Sequence, residues 1–244
     1  MIEIINLKKS FGEKEVLKGI NLTISEGENI AILGRSGVGK SVFLKHIIGL
    51  LKPDEGSILV DGIDITKLSK IELYRIRRDF SYVFQGAALF DSMTVYENIA
   101  LPLRERDFPE SEIKNRVKEA LYHVGLDGIE HLYPAELSGG MKKRVGLARA
   151  IVSKPKYLLY DEPTTGLDVL TAWKINKLIR KLNQMENATA ILVTHDIRGA
   201  LYTSDKIALL HDGVIVEIIE CNKYKEAKSE ELREFLEAGG FLGQ

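Results

Sequence analysis

The chain has 244 residues, of which 45% are hydrophobic and 28% are charged, a balance that is typical of a folded globular protein and excludes an extensively disordered one. Its 34 lysines and arginines against 35 acidic residues leave a net charge of −1, so no overall field favours nucleic acid as a partner. The single cysteine, Cys221, excludes an internal disulfide, and the first residues lack the basic and apolar regions of a signal peptide. We therefore expect a cytoplasmic location.

The N-terminal part of the chain predicts an antiparallel β layer. Alternating apolar residues between positions 1 and 33 are typical of short strands, and Gly12 and Gly27 mark turns between them. Further along, an Asp-Gly pair separates the apolar runs 58–60 and 63–65, which is a strong signal for a tight hairpin.

The middle of the chain, from about residue 69 to residue 155, has a helical pattern. Its clearest segment is 110–124, in which apolar residues recur at a spacing that places them on one face of a helix. These residues are Ile113, Val117, Ala120, Leu121 and Val124. We predict a mostly helical insert here, with a helical subdomain at about 86–155.

The last third of the chain alternates between strands and helices. Two apolar runs, 157–160 and 190–194, are separated by a helical segment at 169–185, which is typical of a buried parallel sheet with a crossover helix. The predicted fold class is therefore α/β, with a P-loop NTPase core and a mostly parallel sheet, an antiparallel β subdomain and an inserted helical subdomain.

The sequence ends with a predicted hairpin at 207–218 and a predicted helix at 229–238, which two glycines stop. We divide the chain into a main domain at 1–220 and a C-terminal tail with a short helix at 221–244.

A glycine-rich loop at 34–41 fits the pattern G-x-x-x-x-G-K-[ST] and lies between a predicted strand and a predicted helix, which is the context that this phosphate-binding pattern requires. Backbone N–H groups of such a loop, with the N-terminus of the helix, form a cradle for phosphates. Lys40 is expected to bridge the terminal phosphates of ATP, and the Ser41 hydroxyl is expected to bind Mg²⁺. The predicted nucleotide contacts of this stretch are Gly34, Arg35, Ser36, Gly37, Val38, Gly39, Lys40, Ser41 and Val42.

Two acidic residues and a histidine follow the buried strands. Asp161 and Glu162 end one strand and His195 follows the next, at the edge where open α/β sheets bind ligands. Asp161 is a candidate Mg²⁺ ligand, and Glu162 is a candidate base that orients or deprotonates the attacking water. His195 alone would be taken for a structural residue, but beside a phosphate loop it is predicted to contact the terminal phosphate. We predict that Glu162, His195 and Lys40 form the catalytic set.

A second site of phosphate size is predicted at 137–141. Ser138, Gly139 and Gly140 precede a predicted helix and present backbone N–H donors at its N-terminus. One short chain has no evident need for two such sites, unless the second serves a nucleotide that another subunit holds.

Taken in order, these motifs resemble those of the ATP-binding cassette (ABC) family over residues 2–218. The phosphate loop, Gln85, the LSGGM segment, the YDEP segment, Asp168 and His195 fall where that family places its motifs. Met141 stands where most members have glutamine. The resemblance implies an ATP hydrolase with Mg²⁺, in a homodimer that closes head to tail around two nucleotides and is attached to integral membrane permease subunits.

By the same resemblance, Phe11 stacks on adenine, Gln85 joins the Mg²⁺ shell and senses the membrane partner, and Asp168 links the two sites. Ser138 and Gly140 contact the terminal phosphate bound by the opposite subunit. Without the resemblance, Phe11 would be a core aromatic residue, Gln85 a surface amide and Asp168 a helix cap. The predicted metal ligands are Ser41, Gln85 and Asp161.

A narrower resemblance is to the ATPases of Mla-type systems, which handle phospholipids between the two membranes of Gram-negative envelopes. It rests on residues 34–37, 44–50, 88–95 and 101–105; members often have Ser-Gly where this chain has Gly-Ala after Gln85. The resemblance implies phospholipid transport, a periplasmic lipid-binding component and a peripheral position on the cytoplasmic face of the inner membrane.

An apolar cluster lies just after Gln85 in the sequence. It either receives a short helix from a membrane subunit or packs internally. Its residues are Leu89, Phe90, Met93, Val95 and Tyr96. No apolar stretch approaches the roughly 20 residues that cross a bilayer, so we expect membrane attachment to come from partners.

Three alternatives remain open. An importer for amino acids or another small solute would use a very similar cassette. A soluble ABC ATPase of DNA repair or translation usually has long coiled-coil inserts or two cassettes in one chain. A P-loop kinase or GTPase acting alone would leave residues 137–141 and His195 unexplained.

Overall fold

Residues 1–242 are described by the computed structural model, and they form two sheets and eight α-helices. The strands are β1 (Ile2–Phe11), β2 (Lys14–Ile24), β3 (Asn29–Leu33), β4 (Glu55–Val60), β5 (Ile63–Asp64), β6 (Phe80–Val83), β7 (Tyr157–Asp161), β8 (Thr189–Thr194), β9 (Lys206–His211) and β10 (Val214–Glu220). The helices are α1 (Lys40–Ile47), α2 (Lys70–Arg77), α3 (Val95–Arg104), α4 (Glu110–Val124), α5 (Gly139–Ile151), α6 (Val169–Glu186), α7 (Ile197–Thr203) and α8 (Glu230–Ala238).

One sheet is antiparallel and the other is mostly parallel. The antiparallel sheet has the strand order β2-β1-β4-β5, and the larger sheet has the order β10-β9-β3-β8-β7-β6. In the larger sheet only the edge strand β10 runs antiparallel to its neighbour. These sheets, with a helical insert between β6 and β7, confirm the predicted α/β class, and the pairs β4–β5 and β9–β10 confirm the two predicted hairpins.

The parallel sheet separates two hydrophobic cores because successive side chains of a strand point to opposite faces. Leu158 and Tyr160 of β7 belong to the core on the side of helices α3 to α8. Tyr157 and Leu159 belong to the core that α1 shares with the antiparallel sheet, in which Phe43 is fully buried. Helix α1, which follows the phosphate loop, is therefore held between the two sheets.

The helical insert contains α3, α4 and α5, which pack against one another. All five apolar residues predicted for one face of the 110–124 helix are at most 3% exposed. That helix ends at Gly125, whose φ of 66° lies in the left-handed region that favours glycine at a helix C-terminus. The predicted helix and its buried face are confirmed.

The helical pattern expected from residue 69 is wrong at one place, because Phe80–Val83 forms the edge strand β6 beside β7. A segment of four residues is too short for periodicity to separate a strand from a helix. The strand matters for the site, since it delivers Gln85 to the same sheet edge as Asp161. A second, smaller difference is that Ile65 begins a 3₁₀ turn and does not continue the hairpin strand.

The C-terminal segment packs on the main body. Helix α8 begins after Ser229, whose side chain accepts a hydrogen bond from the backbone N–H of Leu232, and both Leu232 and Leu236 are fully buried. The boundary at residue 220 stays a prediction, and the last two residues of the predicted tail, 243–244, lie outside the described residues.

Within residues 1–242, no helix is both long enough and apolar enough to span a membrane.

Candidate functional site

The phosphate loop connects β3 to α1, and its backbone requires glycine. Gly37 and Gly39 have φ values of 80° and 110°, which side chains of L-residues rarely permit. A Cβ on Gly39 would also lie 2.8 Å from the Cγ1 atom of Val16. The loop therefore brings its N–H groups and the start of α1 together, as the sequence pattern predicted.

Three neighbouring strands deliver charged and polar side chains to this loop. Strands β3, β8 and β7 lie side by side and parallel, so their carboxyl ends meet at one edge of the sheet. There the Ser41 hydroxyl donates to Asp161 Oδ1 over 2.6 Å, and Lys40 Nζ lies 3.1 Å from Glu162 Oε1. The Lys40 ammonium also donates to the backbone carbonyl of Gly34 over 2.8 Å.

Glu162 is the centre of this cluster. Its Oε2 atom lies 2.8 Å from Nδ1 of His195 and accepts a hydrogen bond from the Thr165 hydroxyl over 3.2 Å. The residue is 8% exposed and has a φ of 46°, a left-handed conformation that costs a non-glycine residue about 1 to 3 kcal/mol. Such strain is typical of functional positions, where the surrounding structure holds the backbone in place.

A cavity of about 310 Å³ opens over these residues. It is lined by Phe11, Val16, Ser36, Gly37, Gly39, Lys40, Ser41, Val42, Gln85, Glu162, Thr165 and His195. Phe11 is 48% exposed, so its ring is accessible to a planar ligand. Arg35 lines a different cavity, which α8 borders, and Gly34 and Val38 line neither.

Tyr82 is a site residue that the sequence did not reveal. Its hydroxyl donates to Asp161 Oδ2 over 2.8 Å, so Asp161 accepts from both Tyr82 and Ser41. Burial, together with the negative charge of Asp161, raises the pKa of Tyr82, which keeps the phenol a neutral donor. No local pattern indicates this role, because Tyr82 lies on the short strand β6, which the sequence pattern did not predict.

The predicted Mg²⁺ ligands fit a hard cation. Ser41 and Asp161 place hydroxyl and carboxylate oxygens within 2.6 Å of each other, and Gln85 lines the adjoining cavity. In residues 1–242 no group of three or more His, Cys, Asp or Glu side chains is arranged for a metal. This donor set suits Mg²⁺, which is usually held by one or two carboxylates together with substrate phosphates and water.

The turn at Ser138 does not line this cavity. Ser138 caps α5 by accepting a hydrogen bond from Met141 N–H over 3.3 Å, and Ser138 and Gly139 are exposed. Gly140 lies close to α6, since a Cβ there would be 3.0 Å from Thr171 Cγ2. The turn is thus a set of N–H donors at the protein surface, outside the cavity of its own chain.

Asp168 also lies outside the cavity. Its Oδ1 atom accepts hydrogen bonds of 3.0 Å from the N–H groups of Leu170 and Thr171, which makes it the N-cap of α6. Val169 and Leu170 beside it are 78% and 74% exposed.

The apolar cluster predicted after Gln85 is divided between surface and core. Leu89 and Phe90 line a groove of about 720 Å³ between the parallel sheet and the helical insert, and Phe90 is 50% exposed. Val95 is fully buried, and Met93 and Tyr96 are half-buried and do not line the groove. Val95 therefore packs internally, as one alternative expects, while the contact of Leu89 and Phe90 with a membrane subunit stays a prediction.

The fold and this site define a P-loop ATPase domain. A family model described as ABC transporter matches residues 17–165, more than half of the chain. The chain belongs to the ABC transporter family.

Curated relatives agree on the family and differ in cargo. The probable ribonucleotide transport ATP-binding protein mkl of Mycobacterium tuberculosis is 49% identical over 210 residues, which are 86% of this chain and 58% of that protein. The methionine import ATP-binding protein MetN of Carboxydothermus hydrogenoformans is 43% identical over 220 residues, 89% of this chain and 65% of that protein. The chain spans roughly three fifths of the length of these relatives.

Solved structures are similar over nearly the whole fold. The dimeric ATP-binding cassette MJ0796, in a post-hydrolysis state with ADP and phosphate, has 37% identity and a TM-score of 0.83 over 91% of this chain and 99% of that chain. The protein cbiO1 of Clostridium perfringens, part of the ABC transporter complex cbiONQ, has 32% identity and a TM-score of 0.84 over 97% of this chain and 94% of that chain.

Proposed function

We propose that this chain hydrolyses ATP as one half of a homodimer and thereby drives a membrane permease. The observation that carries the proposal is the separation of two phosphate-binding donor sets. Lys40, Glu162 and His195 meet at one cavity, whereas the Ser138 turn presents its donors elsewhere on the surface. A second copy, docked head to tail, would bring its own Ser138 turn to that cavity.

Two further observations support a homodimer. Val169 and Leu170 form an exposed apolar pair next to Asp168, and a second copy that covered this pair would gain stability by removing its apolar area from water. The similar cassette MJ0796 is dimeric. In the proposed dimer, Asp168 lies at the junction of the two sites.

The contacts of Glu162 suggest how hydrolysis proceeds. A terminal phosphate entering the cavity would compete with Glu162 Oε1 for the Lys40 ammonium, because both are anions within reach of one cation. Glu162 Oε1 then becomes free to accept a proton from the attacking water, while Oε2 stays beside His195 Nδ1. His195 and the loop N–H groups hold the phosphate oxygens, and Phe11 stacks on the adenine.

Mg²⁺ would be held by Ser41, Asp161 and Gln85. When bound, it neutralises charge on the phosphate oxygens. Tyr82 holds Asp161 in place through its hydroxyl, so one carboxylate oxygen stays turned toward Ser41.

Replacing Tyr82 with phenylalanine tests that arrangement. Without the phenol donor, Asp161 loses one of its two hydrogen bonds, and we expect the Mg²⁺ concentration for half-maximal turnover to rise about 10-fold, the lower end of the usual effect of losing a residue that supports a metal ligand. The maximal rate should change by less than about twofold. A Mg²⁺ titration of ATP turnover checks this, and an unchanged midpoint would show that Tyr82 does not support the metal site.

The groove at Phe90 is the proposed seat of the membrane partner. The groove is largely apolar and is large enough for one or two turns of a helix. Its residue Phe90 lies a few positions after Gln85 in the sequence. We place the subunit on the cytoplasmic face of the inner membrane, attached through this groove.

A charge in the groove should break that attachment. We expect Phe90→Asp to reduce the amount of chain that co-purifies with its permease at least about tenfold, because the variant loses the apolar area of the exposed ring and adds a carboxylate that must leave water when the partner binds. Tyr122→Asp is the matched control, because Tyr122 is 68% exposed on α4 and does not line the groove. Equal co-purification of the two variants would rule out the groove.

For the cargo, we propose phospholipid handled by a Mla-type permease with a periplasmic lipid-binding component. The support is the similarity of residues 34–37, 44–50, 88–95 and 101–105 to ATPases of that type. The second candidate is a small solute, which the similarity to a methionine import protein favours. Reconstituting the chain with its permease in vesicles separates the two: ATP-dependent movement of labelled phospholipid supports the first, and uptake of labelled methionine without phospholipid movement supports the second.

A further inference from the structure

Two cationic side chains of α5, one buried and one half-buried, contact the segment that follows β6. Lys143 is 8% exposed, and its ammonium donates to the backbone carbonyl of Gln85. The Arg149 guanidinium donates to the carbonyls of Ala87 over 2.6 Å and Ala88 over 2.9 Å. Neither cation forms an ion pair with the described residues, so these carbonyls are what satisfies them.

Gly146 lies between the two cations on the same face of α5. A Cβ at this position would lie 3.3 Å from the Cβ of Ala87, so the segment packs directly on the helix backbone. Lys143, Gly146 and Arg149 follow one another at intervals of three, the spacing of one helical face. We call these three residues the α5 clamp.

The clamped segment has an unusual backbone. Ala87 and Ala88 have φ values of 62° and 45°, although alanine disfavours this left-handed region. Their carbonyls are the ones that Arg149 binds. The clamp therefore holds the segment in a conformation that its sequence alone would not favour.

The clamp also joins the parts of the molecule that the proposed function uses. Gln85 lines the cavity of its own chain, Ala88 and Arg149 line the groove proposed for the permease, and α5 begins at the Ser138 turn. Lys143 is five residues beyond Ser138, about 7.5 Å along the helix axis. One helix therefore connects Gln85 and the wall of the groove to the serine turn.

We infer that Lys143 is a positioning residue of the proposed ATPase reaction. It holds the Ser138 turn, which contacts the nucleotide of the second copy, at a fixed position relative to Gln85, which lines the nucleotide site of its own chain. The inference rests on the proposed function. It predicts that loss of the Lys143 donor leaves ATP binding by a single chain intact and weakens closure of the two chains around ATP.

The test compares Lys143→Met with Lys143→Arg in a Glu162→Gln background, which slows hydrolysis. Affinity for ATP is measured with Mg²⁺ at protein concentrations too low for dimers, and ATP-dependent dimerisation is measured by analytical ultracentrifugation. We expect Lys143→Met to keep ATP affinity within about twofold and to weaken dimerisation at least about tenfold, the effect of losing one hydrogen bond from a charged donor. Lys143→Arg, which keeps a donor, should recover most of the dimer. Lys114→Met, on the exposed side of α4, is the control and should match the Glu162→Gln parent.

Three outcomes would overturn the inference. Dimerisation of Lys143→Met as tight as that of the parent would show that the clamp does not position the serine turn, and equal losses of ATP affinity and dimerisation would indicate a merely structural residue. If the Glu162→Gln parent itself formed no dimer with ATP, the proposed function would fail, and the inference with it. If Lys143→Met does not fold, Gly146→Ala tests the contact between α5 and the segment after Gln85 in another way. It keeps both donors but forces Ala87 away from the helix by a few tenths of an ångström, so we expect ATP affinity to be kept and dimerisation to weaken.

Discussion

Replacing Glu162 with glutamine is expected to lower steady-state ATP turnover at least about a hundredfold, the usual effect of losing a catalytic base. Glu162 lies between Lys40, at 3.1 Å, and His195, at 2.8 Å. Glutamine keeps the size of the side chain but removes the negative charge that accepts the proton of water. Since the terminal phosphate then stays attached, we also expect the variant to accumulate as an ATP-bound dimer.

Phosphate release at saturating Mg²⁺ and ATP measures the first effect, and size-exclusion chromatography measures the second. Glu237→Gln is the matched control, because Glu237 is exposed on α8 and should not affect turnover. Turnover of Glu162→Gln within about tenfold of the unmodified chain would assign the base to another residue.

A carboxylate at position 138 should have an effect of similar size for a different reason. Aspartate is as good an N-cap as serine, so Ser138→Asp should leave α5 and the free energy of unfolding nearly unchanged. Its negative charge would, however, repel the terminal phosphate that the turn is proposed to contact in the second copy. We expect turnover to fall at least about a hundredfold, as when a preorganised donor is lost at a reacting phosphate.

Ser138→Asn separates charge from shape. Asparagine is also a good N-cap and is close to aspartate in size, but it carries no charge, so we expect a loss of only about tenfold or less. ATP binding by the isolated chain should be unchanged in both variants, because the Ser138 turn does not line the cavity of its own chain. Reduced ATP affinity of the isolated Ser138→Asp chain would place the serine in the site of its own chain.

Local patterns in the sequence were sufficient for most of the fold. The 110–124 helix shows its buried face through spacing alone, and the two hairpins follow from Asp-Gly turns between apolar runs. Strand β6 could not be found in this way, because its four residues are stabilised by pairing with β7, which lies more than seventy positions later in the chain. Pairing across such a distance leaves no trace in a local pattern.

Prediction of the site was limited in the same way as prediction of the fold. The phosphate loop was evident, because one short segment contains its glycines, Lys40 and Ser41. Partners far apart in the sequence were not evident: Tyr82 was not identified as a donor to Asp161, and Lys143 was not identified as a donor to Gln85. These contacts depend on which strands and helices become neighbours, and the sequence shows that only after the fold is known.

The most direct measurement is the structure of the Glu162→Gln protein in its complete membrane assembly with Mg²⁺ and ATP. If two copies grip each nucleotide from both sides, Ser138 Oγ of one copy will lie about 3 Å from a terminal-phosphate oxygen of the ATP that Lys40 of the other copy binds. A closed assembly in which every Ser138 turn lies more than about 10 Å from every phosphate, well beyond hydrogen-bond distance, would contradict this mechanism.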